Sequence, residues 1–428
     1  MSNLIPVGLD FGSFKYTAAY VQENTIVPIP VTANDPSWIG LIILKPTDTG
    51  LTFTSMKQQL GTGQSYMYLG KKQNVEDIVK NQFVEIKKSV EEYAGESINK
   101  LVVSVPSRYA SFRRSDIVKI ATYAGFPDVS LINDCTAAAI GFSFDQSIET
   151  STLLVFSMGY IGFEVSLLRI MKGQIREIAH EGSDGPAGCD FELEVMKYCL
   201  EYFEKRGTPL PTKTYRNHWL DLGRISSQVI QQLSMDQEAS MVLPSYITGN
   251  KIEKINITRS DLNKLFSSHI AMSMNQVDDI IEDANLSYND IDKVLLLGGV
   301  THSHFIQENM EKRFGEKVIT LSEDILARGA AVQASRLVSQ KNNSDSDIND
   351  ELSEKKGIDS NNKNTLQYTS EDNEEKFQSD STENEILEPD IEPLINYINI
   401  LVNKGDTQKA KNFFETVSQK IESIIIMA

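Results

Sequence analysis

The segments VGLDFGSFKYTAAYV, residues 7–21, and LLVFSMGYIGFEVSLL, residues 153–168, decide the fold of this chain. In both, an apolar run leads into a short turn that contains glycine, and a second apolar run follows, which predicts a β-hairpin. A third strand is expected after each hairpin, so the two patterns extend over residues 5–31 and 152–181. One pattern found twice predicts two similar lobes, about residues 1–150 and 151–338.

Helical and strand patterns alternate through the rest of both lobes. Apolar residues recur at helical spacing in Val75–Ala94, whereas Leu101–Val105 and Val294–Leu297 are short apolar runs typical of buried strands. A capping-type start at Thr258 predicts one helix that continues to about Glu282. This alternation predicts an α/β fold in which each lobe has a β-sheet core flanked by helices.

The chain changes character after Val338, where the last helix predicted for the lobes ends. Residues 339–390 are rich in Asn, Ser, Asp, Glu and Lys, and this composition predicts a disordered acidic linker. Residues 391–428 show two amphipathic patterns, which predict a helical hairpin. Two helices of this length cannot bury both apolar faces alone, so we expect them to pack on the lobes or on a partner. No series of short strands follows the lobes, so a β-sandwich domain is not predicted.

Charge and composition limit the classes of function. The net charge of −18 argues against a general nucleic-acid-binding surface. No apolar run approaches the roughly 20 residues that span a bilayer, and the N-terminus lacks the pattern of a signal peptide. Three scattered cysteines predict no disulfide framework, and the one close histidine pair, His302 and His304, is assigned to a loop. We therefore expect a cytoplasmic protein without membrane or direct nucleic-acid contacts.

Two glycine turns have the chemistry of phosphate binding. Gly12 and Ser13 in the first hairpin can surround phosphate oxygens with backbone N–H groups. Asp10, at the end of the preceding strand, is suited to orient water on a bound Mg²⁺. Gly298 and Gly299, between an apolar strand and a helix, offer a second turn of this kind. Each feature alone is common in proteins that bind no phosphate, so neither is decisive.

The order of seven segments carries more information than any one of them. They are residues 7–21 and 153–168, already quoted, with LVVSVPSRYASFRRSDIVKIATYAGF (101–126), LINDCTAAAIGF (131–142), GPAGCDFELEV (185–195), KVLLLGGVTHSHFIQENMEKRFG (293–315) and LARGAAVQA (326–334). Together they resemble the nucleotide-binding domain of the seventy-kilodalton heat-shock (DnaK-type) chaperones over roughly residues 4–337. The resemblance implies the actin-like ATPase fold, with ATP or ADP and Mg²⁺ in the cleft between the lobes.

The same resemblance implies roles for individual residues. Asp10 is the implied catalytic residue, and Asp10 and Asp134 are the implied magnesium residues. The implied nucleotide contacts are Gly12, Ser13, Phe14, Lys15, Gly159, Gly162, Ser234, Gly298, Gly299, His302 and Asp324. Pro106 and Arg114 match a pair that transmits the nucleotide state between domains. The family also has a lysine near the attacking water, for which Lys57, Lys71 and Lys72 are candidates.

The departures from the family pattern are concentrated where the chemistry takes place. Ser157 replaces an aspartate, and Tyr160 and Ile161 replace glycines that let the backbone approach phosphate. On the adenosine side, Ser227, Ile230, Gln231 and His302 replace a glutamate, a lysine and two arginines. These changes predict that ATP is bound weakly, or not at all, and that it is not hydrolysed efficiently.

The resemblance and the departures together indicate a regulatory or adaptor co-chaperone in protein folding. Within the family the chain is most similar to the atypical chaperone subunit of the fungal ribosome-associated complex. That similarity implies a J-domain co-chaperone, a catalytically active chaperone and the ribosome as partners. Two alternatives stay open: an active ATP-hydrolysing chaperone whose substitutions are compensated, and an actin-like scaffold or assembly protein.

Overall fold

The computed structural model describes residues 4–30, 38–47, 50–68, 70–144, 146, 148–210, 218–249 and 251–355. By its internal contacts the chain divides into two units, one that holds the residues up to Ser335 and one that starts at Arg336. Both predicted lobes belong to the first unit. The helical hairpin predicted for 391–428 lies outside the described residues, as does most of the predicted linker.

A five-stranded sheet forms the centre of the first lobe. The strands of this lobe are β1 (Leu4–Phe11), β2 (Tyr16–Gln22), β3 (Thr25–Pro28), β4 (Ile42–Thr47), β5 (Gly50–Ser55), β6 (Ser65–Tyr68), β7 (Lys71–Asn74), β8 (Ser97–Val105) and β9 (Val129–Asn133). The sheet order is β3-β2-β1-β8-β9. Strand β1 pairs antiparallel with β2 and parallel with β8, so the first hairpin lies at the centre of the sheet.

The second lobe repeats this arrangement. Its strands are β10 (Thr150–Met158), β11 (Phe163–Met171), β12 (Gln174–Ser183), β13 (Glu238–Leu243), β14 (Glu253–Thr258), β15 (Lys293–Leu297) and β16 (Val318–Thr320). The main sheet has the order β12-β11-β10-β15-β16. Strand β10 pairs antiparallel with β11 and parallel with β15, as β1 does with β2 and β8. The predicted pair of similar α/β lobes is confirmed.

Helices flank each sheet, and one helix of the first lobe shows how caps set its ends. Those of the first lobe are α1 (Met56–Gln59), α2 (Val75–Ala94), α3 (Ser111–Tyr123) and α4 (Asp134–Ser143). Helix α2 has the bounds predicted from its periodicity. Its first turn is capped by the Asn74 side chain, and it ends at Gly95, whose φ of 69° favours glycine. Its apolar face, including Phe83, is buried in the core of the lobe.

The second lobe contributes the remaining helices. They are α5 (Gly188–Lys205), α6 (Trp219–Met235), α7 (Ser245–Thr248), α8 (Arg259–Leu265), α9 (Ser267–Asp283), α10 (His304–Phe314) and α11 (Ile325–Lys355). The prediction of one helix after Thr258 was wrong, although Thr258 does cap α8. The helix is interrupted at Phe266, whose side chain is fully buried and contacts the rings of Phe191 and Phe305.

Helix α11 runs beyond its predicted end at Val338 to Lys355. The sequence offers no helix breaker there, since neither glycine nor proline occurs between Val338 and Gly357. The first part of the segment predicted to be a disordered linker is therefore helical. No helix in the part of the chain that the structure describes is both long and apolar enough to cross a bilayer.

The start of α11 packs directly on the first lobe. A Cβ atom added at Gly8 of β1 would lie 2.1 Å from the backbone N of Ala331. One added at Gly329 would lie 1.8 Å from the carbonyl oxygen of Ala137 in α4. Both positions therefore require glycine, because the backbones of three elements meet there.

Candidate functional site between the two lobes

The first hairpin places Asp10 in a buried, acidic environment. Gly12 closes a tight turn, since a Cβ atom there would lie 2.3 Å from the carbonyl oxygen of Lys15. The carboxyl group of Asp10 lies near that of Asp134, the first residue of α4. Burial raises the pKa of Asp10 to about 7, repulsion from Asp134 adds to this effect, and the charge of Lys57 opposes it. The two residues predicted to hold magnesium are therefore brought together.

A third carboxyl group, that of Glu164 on β11, joins this cluster. Burial raises its pKa to about 7, and the next contribution is repulsion from Asp134. The pKa of Asp134 is also raised by burial, against the opposing charge of Lys57. Glu164 was missed in the sequence analysis. The available signal was an acidic residue two positions after Gly162, inside an otherwise apolar strand.

Lys57 is the one of the three candidate lysines that reaches these carboxyl groups. It lies on α1 with only 4% of its surface exposed, and its Nζ atom stands 5.5 Å from the ring centre of Phe11 and 5.4 Å from that of Tyr109. Lys71 and Lys72 lie on β7 and are exposed. Lys57 therefore supplies positive charge to the buried acidic cluster.

The cluster fits a hydrated magnesium ion that arrives with phosphate. Among the described residues, no three His, Cys, Asp or Glu side chains come close enough to hold a metal ion directly. The Oδ1 atom of Asp134 is nevertheless buried without a hydrogen-bond partner in the described part of the chain. Mg²⁺ usually keeps several waters and takes one or two carboxylates together with phosphate oxygens. Asp10, Asp134 and Glu164 would hold such an ion together with its waters rather than as three direct ligands, and the ion would neutralise phosphate charge.

The second hairpin uses its backbone differently. The N–H of Gly159 donates to the carbonyl oxygen of Gly162 at 3.1 Å, and the N–H of Gly162 donates to that of Asp184 at 3.1 Å. Both glycines were predicted to contact nucleotide. Their N–H groups already form hydrogen bonds within the protein. The predicted contact with phosphate would therefore require these hydrogen bonds to break, and it stays a prediction. Ser157 is a hydroxyl residue, which carries no charge for orienting metal-bound water.

Tyr160 connects the second hairpin to the first. Its ring centre lies 5.2 Å from that of Phe14 in the first hairpin. Its hydroxyl donates a hydrogen bond of 2.8 Å to Glu192 Oε2 on α5. Burial raises the pKa of Glu192 to about 7, while hydrogen bonds from Tyr160 and Ser227 lower it. The sequence showed that Tyr160 stands where the family has a glycine. It did not show that the tyrosine contacts Phe14 and Glu192.

The resemblance implied adenosine contacts on α6 and in the turn after β15. Ser227 is engaged with Glu192, and Ile230 packs against the core of the second lobe. Gln231 is exposed. The Ser234 hydroxyl donates to the carbonyl oxygen of Ile230 at 3.0 Å, one helical turn away. None of these four side chains is charged, whereas the family has a glutamate, a lysine and an arginine at the positions of Ser227, Ile230 and Gln231.

The turn after β15 keeps its glycine for a structural reason. Gly298 has a φ of 94°, and a Cβ atom there would lie 2.3 Å from the carbonyl oxygen of Met158 in the second hairpin. Gly299 faces open space. His302 is exposed at the end of this turn. Asp324 accepts a hydrogen bond of 2.6 Å from the Ser322 hydroxyl. The turn is therefore held against the second hairpin.

Pro106 and Arg114 belong to a chain of contacts that runs between the lobes. The Arg114 guanidinium donates to the carbonyl oxygen of Pro106 at 3.0 Å and to Asn133 Oδ1 at 2.7 Å. The Asn133 amide donates in turn to Glu177 Oε2 on β12 at 3.0 Å. The predicted pair is thus in direct contact and is linked by one side chain to the sheet of the second lobe.

A polar cavity of about 330 Å³ lies beside these contacts. The Asp184 carboxylate stands at its edge, where it pairs with Arg108 Nη1 at 2.7 Å and accepts from Gln58 Nε2 at 3.1 Å. Both donors belong to the first lobe. The lining residues are Thr54, Gln58, Gln59, Arg113, Ile161, Asp184, Gly185, Cys189 and Asp190.

Comparison with known proteins agrees with this architecture. The family model described as Hsp70 protein matches residues 50–422. The chain belongs to the Hsp70 family. The chaperone protein DnaK of Thermosipho melanesiensis is 27% identical over 365 residues, which cover 80% of this chain and 61% of that protein. The DnaK of Thermosipho africanus is 26% identical over 375 residues, or 80% and 60%.

The two sheet cores flanked by helices fit the actin-like ATPase fold of this family. Members of the family generally bind ATP or ADP with magnesium and work with J-domain co-chaperones. The chain spans about three fifths of the length of the curated relatives it matches.

Proposed function

We propose that this Hsp70-family chain is a regulatory or adaptor co-chaperone that binds ATP weakly and does not hydrolyse it efficiently. The observation that carries the proposal is the state of the second hairpin. Its two glycine N–H groups are bonded to backbone carbonyls, and the ring of Tyr160 lies against Phe14. At Ser157 the hairpin has no carboxylate. The groups that would hold and activate a phosphate from this side are used for other contacts or absent.

The expected loss can be estimated from the two sides of the site. Removal of one positioned polar group in a catalytic site commonly costs about 10²–10³ in rate, which applies to Ser157. On the adenosine side, loss of two charge-assisted hydrogen bonds of roughly 1.5–3 kcal/mol each weakens binding by about 10²–10⁴-fold. Slower hydrolysis and weaker binding both support a function that does not depend on ATP turnover.

The partners follow from the family and from the lack of turnover. An Hsp70-family protein that does not cycle ATP can still present its surface to proteins that do. We therefore propose a J-domain co-chaperone and a catalytically active chaperone as partners, with nascent chains at the ribosome as the place of action in the cytoplasm. The resemblance to the atypical chaperone subunit of the fungal ribosome-associated complex supports this assignment.

Single-turnover ATP hydrolysis tests the enzymatic half of the proposal. We expect the purified chain to hydrolyse ATP at least 10²-fold more slowly than a DnaK measured in parallel. Hydrolysis at the rate of DnaK, abolished by Asp10→Asn, would contradict the proposal. Affinity purification of the chain tests the other half. Recovery of a J-domain protein and ribosomes supports the adaptor, and recovery of the chain alone contradicts it.

One observation favours a second candidate, an active ATP-hydrolysing chaperone. Lys57 and the carboxyl groups of Asp10, Asp134 and Glu164 still form a charged cluster beside the first hairpin. That cluster contains a cation and metal-binding groups, so the first hairpin keeps the charged groups that the chemistry requires on its side. The same hydrolysis measurement separates the two candidates, because the second predicts a rate near that of DnaK.

A further inference from the structure

Side chains of the two lobes meet at several places along the boundary between them, in addition to the backbone contacts of α11. Phe14 projects from the first hairpin and Tyr160 from the second, with ring centres 5.2 Å apart and an angle of 39° between the ring planes. This is the range of distances in which aromatic pairs attract each other. The hydroxyl of Tyr160 also donates a hydrogen bond to Glu192 within the second lobe. The pair therefore links the two hairpins directly.

A second set of contacts lies on Asp184. Its carboxylate pairs with Arg108 and accepts from Gln58, and both of these residues belong to the first lobe. The backbone N–H of Arg108 also donates to Glu164 Oε1 at 3.2 Å, which is another contact across the same boundary. One short loop of the first lobe is thus held by two carboxylates of the second.

Two further contacts extend the boundary on either side. Lys15, next to Phe14, pairs with Glu323 at 2.9 Å. The Asn133 amide donates to Glu177 at 3.0 Å. Each contact alone is small, and the exposed ion pair especially so. Moving the lobes apart would break all of them in one step, so their effects combine in the equilibrium between lobe positions.

We propose that these contacts, with the Phe14–Tyr160 pair at their centre, hold the two lobes together so that lobe closure in this chain does not depend on bound nucleotide. A ligand shifts a conformational equilibrium only by its different affinity for the two states. Where side chains already favour the closed state, nucleotide has little left to shift. The inference goes beyond the proposed function, because it concerns the position of the lobes rather than partners or turnover.

A distance measurement by electron-spin resonance tests this directly. Spin labels are attached at Lys88→Cys in the first lobe and Met235→Cys in the second, two positions whose side chains are 64% and 81% exposed. The three native cysteines are buried, which limits their labelling. The distance distribution is recorded without nucleotide and with millimolar Mg²⁺–ATP. We expect one narrow distribution that is the same in both conditions.

The variant Phe14→Ala/Tyr160→Gly breaks the central pair. We expect it to gain a longer-distance population without nucleotide, whereas Tyr160→Phe, which keeps the ring contact, and Lys205→Ala, which removes an exposed ion pair within α5, stay like the unchanged protein. Phe14→Ala alone serves if the double variant does not fold, because 57% of the Phe14 surface is exposed. A shift of the unchanged protein on addition of ATP, or an unchanged distribution in the variant that folds, would overturn the proposal.

Calorimetric titration of the same samples with Mg²⁺–ATP keeps the two proposals apart. Absence of any heat of binding would contradict the proposed weak ATP binding and would leave the distance result intact. Tight binding with unchanged distances would contradict the proposed function and support this inference.

Discussion

The first and the second hairpin have the same strand order and the same pairing, and Gly12 corresponds to Gly159, yet other residues that bear on chemistry differ. The first keeps Asp10 and a turn closed by Gly12. The second has Ser157, Tyr160 and glycine N–H groups that bond to the backbone. The sheet needs the apolar residues of the strands, whereas phosphate chemistry needs the turn residues. The comparison shows that one set can be kept while the other changes.

The largest effect on stability is expected from substitution of the turn glycines, because the backbone is packed more closely around Gly12 than around Gly159. Gly12→Ala would place a Cβ atom 2.3 Å from a backbone oxygen, whereas the nearest atom to a Cβ at Gly159 is 3.9 Å away. We expect Gly12→Ala to lower the free energy of unfolding by about 2–3 kcal/mol and Gly159→Ala by less than about 1 kcal/mol. Urea denaturation of both variants measures this. Equal effects would show that the two turns are alike in packing.

The next effect concerns pH and two buried carboxyl groups, Asp10 in the first hairpin and Glu164 in the second. The pKa values of Asp10 and Glu164 are raised to about 7 in the folded chain. The folded state therefore binds more protons than the unfolded state between about pH 4 and 7, and stability falls as pH rises through that window. We expect a decrease of about 1–2 kcal/mol from pH 5 to pH 8.

Asp10→Asn should reduce this pH dependence by raising the stability at pH 8 more than at pH 5. The exposed Asp236→Asn, at the end of α6, serves as the control and should leave the dependence unchanged. Thermal unfolding across the pH range supplies the measurement. If the stability instead rose between pH 5 and 8 and did not respond to Asp10→Asn, the pKa values of these buried carboxyl groups would not be raised in the folded chain.

Restoring the second hairpin tests whether its residues set the affinity for ATP. In Ser157→Asp/Tyr160→Gly/Ile161→Gly a carboxylate returns and two side chains are removed from the turn. We expect ATP to bind about tenfold more tightly, which corresponds to about 1.4 kcal/mol. Calorimetry measures the affinity, and Ser240→Asp on exposed β13 provides a matched added charge. An unchanged affinity would place the defect on the adenosine side instead.

The smallest expected effect separates the ring of Tyr160 from its hydroxyl. Tyr160→Phe removes the hydrogen bond to Glu192 and keeps the contact with Phe14. We expect a loss of about 1 kcal/mol in stability, typical of one hydrogen bond to a buried group. Chemical denaturation at pH 8 and pH 6 provides the reading, because the loss should be smaller at pH 6, where Glu192, with a pKa of about 7, is protonated. A loss that grows toward pH 6 would contradict this account.

Strand and helix patterns were predictable wherever they were long. The hairpins and α2 have strong periodicity, and their predicted positions are confirmed. Strand β7, with the sequence KKQN, and the four-residue α1 were missed, because neither is long enough or apolar enough to show a period. The sequence could not choose Lys57 over Lys71 for the same reason, since the choice depends on α1.

Individual residues of the candidate site could be proposed from the sequence, but their arrangement could not. Asp10 and Asp134 were identified, and they meet as expected. Glu164 was missed because its role depends on a neighbour far away in the chain. The replacement at Tyr160 was visible in the sequence, but its contacts with Phe14 and Glu192 arise only from tertiary packing. Sequence reveals which groups have been lost more easily than which contacts have replaced them.

The close contacts of α11 at Gly8 and Gly329 also limit the order in which the chain can fold during its synthesis. Strand β1 leaves the ribosome early, yet the helix that covers Gly8 and Ala137 begins only at Ile325. Contacts between residues so far apart in sequence form late and slow down folding. The first lobe therefore cannot finish its packing as an independent amino-terminal domain. It must keep one face unfinished until nearly all of the second lobe has been translated.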